Sequence, residues 1–545
     1  MIQNPILKGF NPDPSILRVD NCYYIAVSSF EWFPGIPIYR SFDLKNWELF
    51  THAIVKNEQI NLMGMSSASA VWAPSLTYNK KTQKFYVAFS VVYGFDNNNF
   101  DVDNFYVESD KIDGTWSNAI YINSTGFDPA FFHDTDKKSY VVCLEWEARE
   151  GYEHPGYVVL QEYDFEKRSL VGEYKRISKG ATDRGCTEGP NIYKKGEYYY
   201  LVTAEGGTGY GHCIAISRAK NIFGDYESYE NNPIITSQPI DFSERGVGDS
   251  AKSWRYYPHS ILQKSGHGSI VETDTGETYI VHLCSRPFAP ELRSTLGRET
   301  SIQKCYWTND AWIKLDSDNN MAKIGVDQPN LREYVFEQAN QNKLYIEENG
   351  EKVLHKYFYT LREEFNKDWI NFDKNGNILM RARGTLFSNY HQSIIARKAT
   401  AFSYSATVKI DFEPENNLQM AGLVNYYNSK AFYYLRVYYS ESLKSKTLAI
   451  MKSDKGFKKE YCDTRIKIES GKEIYLKSVV KERELRFYYS FDGDSFVRIG
   501  DVYDSTILSD EYAGGFTGSF VAVTASDNYT KSKTCKIEKF VIENN

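Results

Sequence analysis

With 545 residues the chain is long enough for two to four domains. Its 42 % hydrophobic and 25 % charged residues are an ordinary globular composition, and a net charge of −7 leaves no basic stripe for nucleic acid or an anionic membrane. Aromatic residues reach 15 %, with 43 Tyr, and these side chains favour strands.

In chain order, Met1-Ile2-Gln3-Asn4-Pro5 carries neither a basic region nor an apolar run, so neither a signal peptide nor a membrane span is expected. Short apolar strands are then predicted at residues 14–19, 74–78, 129–132, 190–193 and 269–271. Each is followed by an Asp-, Asn- or Gly-containing turn. A second strand opens on aromatic residues at 23–27, 85–89, 140–142, 198–202 and 279–281. Five copies of one strand–turn–strand unit predict a five-bladed β-propeller, its blades stretched by long loops, the longest at roughly 241–257. An irregular all-β sandwich is the alternative; long helical patterns are nearly absent. The eight cysteines are scattered, with no Cys-x-x-Cys pair, which fits neither a zinc site nor a disulfide framework and points to a reducing cytoplasm.

One or two residues before each predicted first strand stand Asp13, Trp72, Asp128, Glu188 and His267. If the first strands line the central channel, these five converge at one end of it. Asp-Pro is also a common turn pair, and on Asp13 alone that reading is the better one. Three carboxylates at five equivalent positions are another matter. Like charges in one pocket resist joint ionisation, which keeps one acid protonated beside another that is ionised. Hydrolysis of a glycosidic bond needs such a pair.

Beyond residue 320 the pattern breaks into a polar connecting stretch, 321–355. From 356 to 545 aromatic and β-branched runs return at 405–412, 432–439 and 485–491, with Asp492-Gly493 as a hairpin turn, and these predict a β-sandwich. The expected architecture is all-β, with a propeller over 1–320, a connection over 321–355 and a sandwich over 356–545.

The motifs around the five channel residues resemble glycoside hydrolase family 43, in its β-xylosidase branch. They are Asn11-Pro12-Asp13-Pro14, Phe30 within residues 29–35, Val71-Trp72-Ala73-Pro74, Phe127-Asp128-Pro129, Thr187-Glu188-Gly189-Pro190, Ala204-Glu205-Gly206, Gly266-His267-Gly268 and Gly297-Arg298-Glu299. The resemblance implies Asp13 as general base, Glu188 as general acid and Asp128 as the carboxylate that orients and tunes that acid. It implies Arg298 as a contact to sugar hydroxyls, Phe30 and Trp72 as aromatic walls, and His267 near the propeller axis. In some relatives that histidine sits by a divalent cation, so a calcium or magnesium ion near His267 is the alternative to a hydrogen-bonded channel histidine, which is the better reading of one His without a ligand cluster; no cofactor is expected to be required. Glu205 is placed one strand out from the pocket, and His212 and Arg286 at its rim or in plain structural roles. Gly514-Gly515-Phe516-Thr517-Gly518 resembles a loop that reaches from the sandwich to the pocket, with Phe516 at its tip.

The resulting expectation is an exo-acting enzyme that releases xylose from the non-reducing end of β-1,4-xylooligosaccharides, with α-L-arabinofuranosidase side activity. A dedicated arabinofuranosidase or arabinanase is the rival within enzymes, and a non-catalytic sugar-binding propeller the rival outside them. Expected partners are xylooligosaccharides and further copies of the chain. Blades one and four flank a single blade, which favours the wide carboxyl spacing of an inverting enzyme, ~6.5–9.5 Å against ~5–5.5 Å for a retaining one.

Overall fold

The computed structural model describes residues 1–95, 99–152, 155–239, 256–337 and 340–544. Most of the loop expected at 241–257, and part of the polar run at 337–342, lie outside the described residues. Five antiparallel sheets form the first 315 residues, each laying its strands outward in chain order. Their inner strands are Ser15–Val19, Ala70–Asn79, Ala130–His133, Glu188–Lys195 and Gln263–Glu272. Each inner strand packs on the next, and the fifth packs on the first, so the ring is a closed five-bladed propeller. In the fourth blade the third strand, Cys213–Ala219, carries two short partners, Glu227–Ser228 and Ile235–Thr236.

Closure depends on the first residues of the chain. Ile2–Gln3 pairs with Gly325–Val326 beyond the last blade. The Asn4 side chain copies a strand: its Nδ2 donates to the Ile302 carbonyl (2.7 Å) and its Oδ1 accepts from the Ile302 amide (2.9 Å). Leu7 bridges to Thr300. These bonds seal the fifth blade to the first, which would otherwise leave exposed edges.

A hairpin, Tyr345–Glu348 with Glu351–Leu354, precedes the second domain. That domain is a sandwich of a seven-stranded and a six-stranded antiparallel sheet. Alternation along Ser403–Asp411 places Tyr404, Ala406, Val408 and Ile410 in its core. Asp492 makes the turn expected of it, its Oδ1 accepting from the amides of Asp494 and Ser495, with Gly493 at φ 87°.

The two domains share a strand pairing, Thr360–Leu361 with Trp32–Phe33. Trp32 stacks on Phe520 at 3.9 Å between centroids, and such ring pairs contribute ~0.5–1.5 kcal/mol beyond their buried area. Buried Glu31 accepts from the Ala68 amide (3.0 Å), while its own carbonyl accepts from the Arg362 amide (2.8 Å). Gly297, at φ 68°, lies so close to the sandwich that a Cβ there would sit 1.7 Å from the Thr517 carbonyl oxygen. Only glycine allows that approach, and it brings Arg298 against the 514–518 loop.

Candidate active site

The pocket is assembled by a backbone conformation that recurs in every blade. Asp13 (φ 54°), Ala73 (42°), Asp128 (58°), Gly189 (57°) and His267 (47°) all adopt left-handed φ at the same place on the five inner strands. For residues with a Cβ this conformation costs on the order of 1–3 kcal/mol, and it persists only where neighbours hold it. Hydroxyls of the second strands do so: Ser28 Oγ, just past Cys22–Ala26, accepts from the Ala73 amide (2.7 Å), and Ser90 Oγ, within Lys84–Gly94, accepts from the Asp128 amide (3.0 Å).

This alters the register expected from sequence. Asp13, Asp128 and His267 occupy the left-handed position itself. Trp72 and Glu188 stand one residue earlier, and with His267 they lie within their strands. The ladder shifts between Trp72 and Ser75, between Glu188 and Asn191, and on both sides of Gly266. These β-bulges turn side chains that would alternate away from the channel into it.

One cavity of about 450 Å3 is lined by Asp13, Phe30, Trp72, Asp128, Glu188, His267, Arg298 and Phe516 together with Ala73, Phe127, Thr208, His212 and Leu283. The first eight of these are the residues that the repeat and the resemblance placed in the site. Trp72 donates its indole N–H to the Ala68 carbonyl (3.1 Å) and meets Phe516 edge-on at 6.0 Å, and the Arg298 guanidinium lies 4.9 Å from the Phe516 ring centre. Arg298 Nε has no partner among the described residues. Buried donors in that state are waiting for an acceptor.

The three carboxyl groups have different surroundings. Asp13 Oδ2 accepts from the Ser28 hydroxyl (2.7 Å), and Oδ1 lies 3.9 Å from His267 Nδ1. Asp128 Oδ2 accepts from the Gly189 amide (2.8 Å), which ties Asp128 to the residue after Glu188. Burial pushes Glu188 up to about 7, against the pull of Arg298 and with the help of the Asp13 charge. Burial also raises Asp128, opposed by His267 and reinforced by Glu188 and Asp13. An acid held up in this way stays protonated near neutral pH.

Glu205, Arg286 and His212 divide. Glu205 is not in the cavity; its carboxylate accepts from the amides of Ala181 (2.6 Å) and Thr182 (2.8 Å) and fixes that loop. Arg286 is bound to Glu299 through two bonds (2.6 and 2.9 Å) away from the pocket. His212 is a buried wall of the cavity, with Nε2 4.0 Å from Glu188 Oε1. Sequence reasoning missed Ser28 and Ser90, although both stand at the same distance from the opening aromatic of the second strand, Tyr23 and Phe85.

Calcium takes about 6–8 oxygen ligands. Among the described residues no three His, Cys, Asp or Glu side chains come together to hold a metal ion. Beside His267 stands Asp13 Oδ1, whose companion oxygen is engaged by Ser28. This donor set does not form a protein cage for calcium.

Residues 2–313 match the family model described as glycosyl hydrolases family 43, and residues 349–543 match a beta xylosidase C-terminal concanavalin A-like domain. The chain belongs to glycosyl hydrolase family 43. Among family 43 relatives it is 39 % identical to a "Xylosidase/arabinosidase 43B" of Humicola insolens, over 96 % of this chain and 94 % of that one. It is 37 % identical to a "Xylan 1,3-beta-xylosidase" of a Vibrio species, over 96 % of each. The crystal structure of a xylan beta-1,4-xylosidase from Bacillus halodurans superposes with a TM-score of 0.93, at 36 % identity and with full coverage of both chains. The protein is therefore a family 43 glycoside hydrolase with a propeller catalytic domain and a C-terminal sandwich.

Proposed function

We propose that this family 43 enzyme is an exo-acting, inverting β-xylosidase that releases xylose from the non-reducing end of β-1,4-xylooligosaccharides. The observation that carries the reading is the cavity itself: three carboxyl groups at one end of the channel, closed over by Phe516 from the second domain. A small pocket under an aromatic lid favours one terminal sugar over the middle of a polymer. In this reading Glu188, held protonated by burial, gives its proton to the leaving oxygen as that bond breaks. Asp13, oriented by Ser28, takes a proton from the water that attacks the anomeric carbon from the opposite face. Asp128 holds the Gly189 backbone and so the placing of Glu188, and as it ionises above about 7 its charge opposes loss of that acid's proton. Arg298 supplies the donors for ring hydroxyls.

Inversion is supported by what stands between the two acids. His267 from the fifth blade lies beside Asp13 on one side and packs against Gly189 on the other, its ring 3.0 Å from where a Cβ of residue 189 would be. An imidazole between the two strands favours the wider carboxyl spacing.

The names of the relatives support arabinofuranoside cleavage as a side activity and raise a β-1,3 linkage as the second linkage to try. The test is turnover of aryl β-xyloside and aryl α-L-arabinofuranoside side by side, with β-1,4- and β-1,3-xylobiose. The reading expects the highest kcat/KM on xylosides and on the 1,4 linkage; preference for the arabinofuranoside would overturn it. Eight free thiols, seven of them wholly or partly buried, support a reducing cytoplasmic location. Among the described residues no helix is long and apolar enough to cross a membrane.

A further inference from the structure

His212 offers the pocket a neutral, fixed acceptor. Its Nδ1 lies 3.1 Å from the Lys264 carbonyl oxygen, an acceptor only, so Nδ1 carries the hydrogen. In a neutral imidazole the second nitrogen is then a bare acceptor. Burial, reinforced by the His267 and Arg298 charges, drives His212 well below the usual histidine range, so it is neutral at working pH. The ring cannot turn away. A Cβ on Gly266 would lie 2.5 Å from the imidazole Cγ and Cδ2, so the glycine backbone holds the ring face. Nε2 is buried in the cavity wall, has no partner among the described residues, and stands 4.0 Å from Glu188 Oε1, too far for a hydrogen bond. A buried acceptor without a partner costs about 1–3 kcal/mol, a cost recovered when a donor arrives.

We infer that His212 Nε2 is a substrate-binding acceptor that takes a hydrogen bond from one hydroxyl of the sugar beside Glu188. This rests on the xylosidase reading for its substrate. It gives the pocket a neutral acceptor to complement the Arg298 donor, so that one hydroxyl is read as a donor without adding a fourth charge near the acid.

Two substitutions separate the role from the architecture. His212→Asn places an amide N–H where Nδ1 was and keeps the Lys264 bond, but has no atom at the Nε2 position. His212→Gln places a carbonyl oxygen near Nε2 and restores an acceptor. Each enzyme is assayed on aryl β-xyloside and on its 2-, 3- and 4-deoxyfluoro analogues, since fluorine cannot donate. The wild type is expected to lose about 10- to 100-fold in kcat/KM at one of the three positions through this contact. In His212→Asn the parent substrate falls by a similar factor, and the penalty at that one position shrinks toward unity, while the other two keep their wild-type penalties. His212→Gln restores part of the selectivity. Comparing the two enzymes on the same analogue cancels the electronic effect of fluorine. Identical penalty patterns in wild type and His212→Asn would overturn the inference. Absence of wild-type turnover on the parent xyloside is a separate result, which would overturn the substrate reading instead.

Discussion

The five inner strands line two chambers, one at each end of the propeller channel, and the contrast shows where the chemistry comes from. The far chamber is the larger, about 760 Å3 against 450 Å3, and is lined by Ser15, Ser75, Thr77, Asn191, Tyr193 and Glu272 among others. Most of its polar groups are bonded: Tyr193 accepts from the Ile270 amide (2.9 Å) and Ser15 from the Leu76 amide (2.9 Å), and Glu272 is exposed and paired with Lys195, while Arg18 brings a cation whose Nη1 has no partner among the described residues. The near chamber is the smaller, but three of its groups are carboxyls under the cover of the second domain. Size and polarity alone do not make an active site. Burial of like charges does, because it separates the proton affinities of neighbouring acids.

The largest effect that sharpens this contrast is at the first blade. Asp13→Ala is expected to lower kcat/KM by at least about 10³-fold on every glycoside, because nothing else in the pocket activates the water. Retained turnover of any substrate would contradict the assignment. Glu188→Ala should cost about 10²–10⁴-fold on xylobiose yet far less on aryl xylosides, whose leaving groups need little protonation. Equal losses on both would remove Glu188 from the acid's role.

The lid comes next. Phe516→Ala removes the ring under Arg298 and against Trp72, and should raise KM for xylobiose by about 5- to 30-fold, the effect of ~1–2 kcal/mol. Tyr193→Phe in the far chamber should leave the kinetics unchanged. An effect at Tyr193 as large as at Phe516 would mean the two chambers are not functionally distinct.

The pH dependence is the finest of these tests. As the proposed general acid, Glu188 must be protonated to act, so activity is expected to fall as pH rises through its value of about 7. Asp128→Asn keeps a carbonyl acceptor for the Gly189 amide but removes a negative neighbour, which eases ionisation of Glu188 and moves the alkaline limb downward. Because burial raises Asp128 in the folded state, the fold loses stability as pH climbs from the unfolded carboxyl range, near 4, toward the raised folded value of about 7. The same variant should therefore melt at a higher temperature than wild type at pH 8 and at a similar one at pH 4. An unchanged alkaline limb, or a lower Tm at pH 8, would count against Asp128 as a destabilised neighbour of the acid.

Much of this site was legible before the structure. Asp13, Asp128 and Glu188 each stand just before proline or glycine-proline at the head of a repeated strand, and repetition turned weak turn signals into one ring. Phe516, more than two hundred residues away, was legible only through family resemblance, since nothing local says where a sandwich loop will reach. The left-handed φ shared by five blades was invisible, because Asp, Ala, Gly and His have no common sequence signature for it. The one-residue step that separates Glu188 and Trp72 from the others follows from bulges, whose positions depend on pairing between strands. Ser28 and Ser90 were hidden for another reason: a serine beside or within a strand has no signature of its own until the neighbouring blade shows what it holds. His212 lies in a loop with no motif, and its role depends on Lys264 and Gly266, fifty residues on.

The central claim is a single displacement by water between Asp13 and Glu188, and the anomer of the first product tests it most directly. Proton NMR of wild-type enzyme mixed with an aryl β-xyloside, recorded before mutarotation, is expected to show α-xylose appearing first. Initial β-xylose would mean a double displacement, and would contradict both the inverting mechanism and the role given to Asp13.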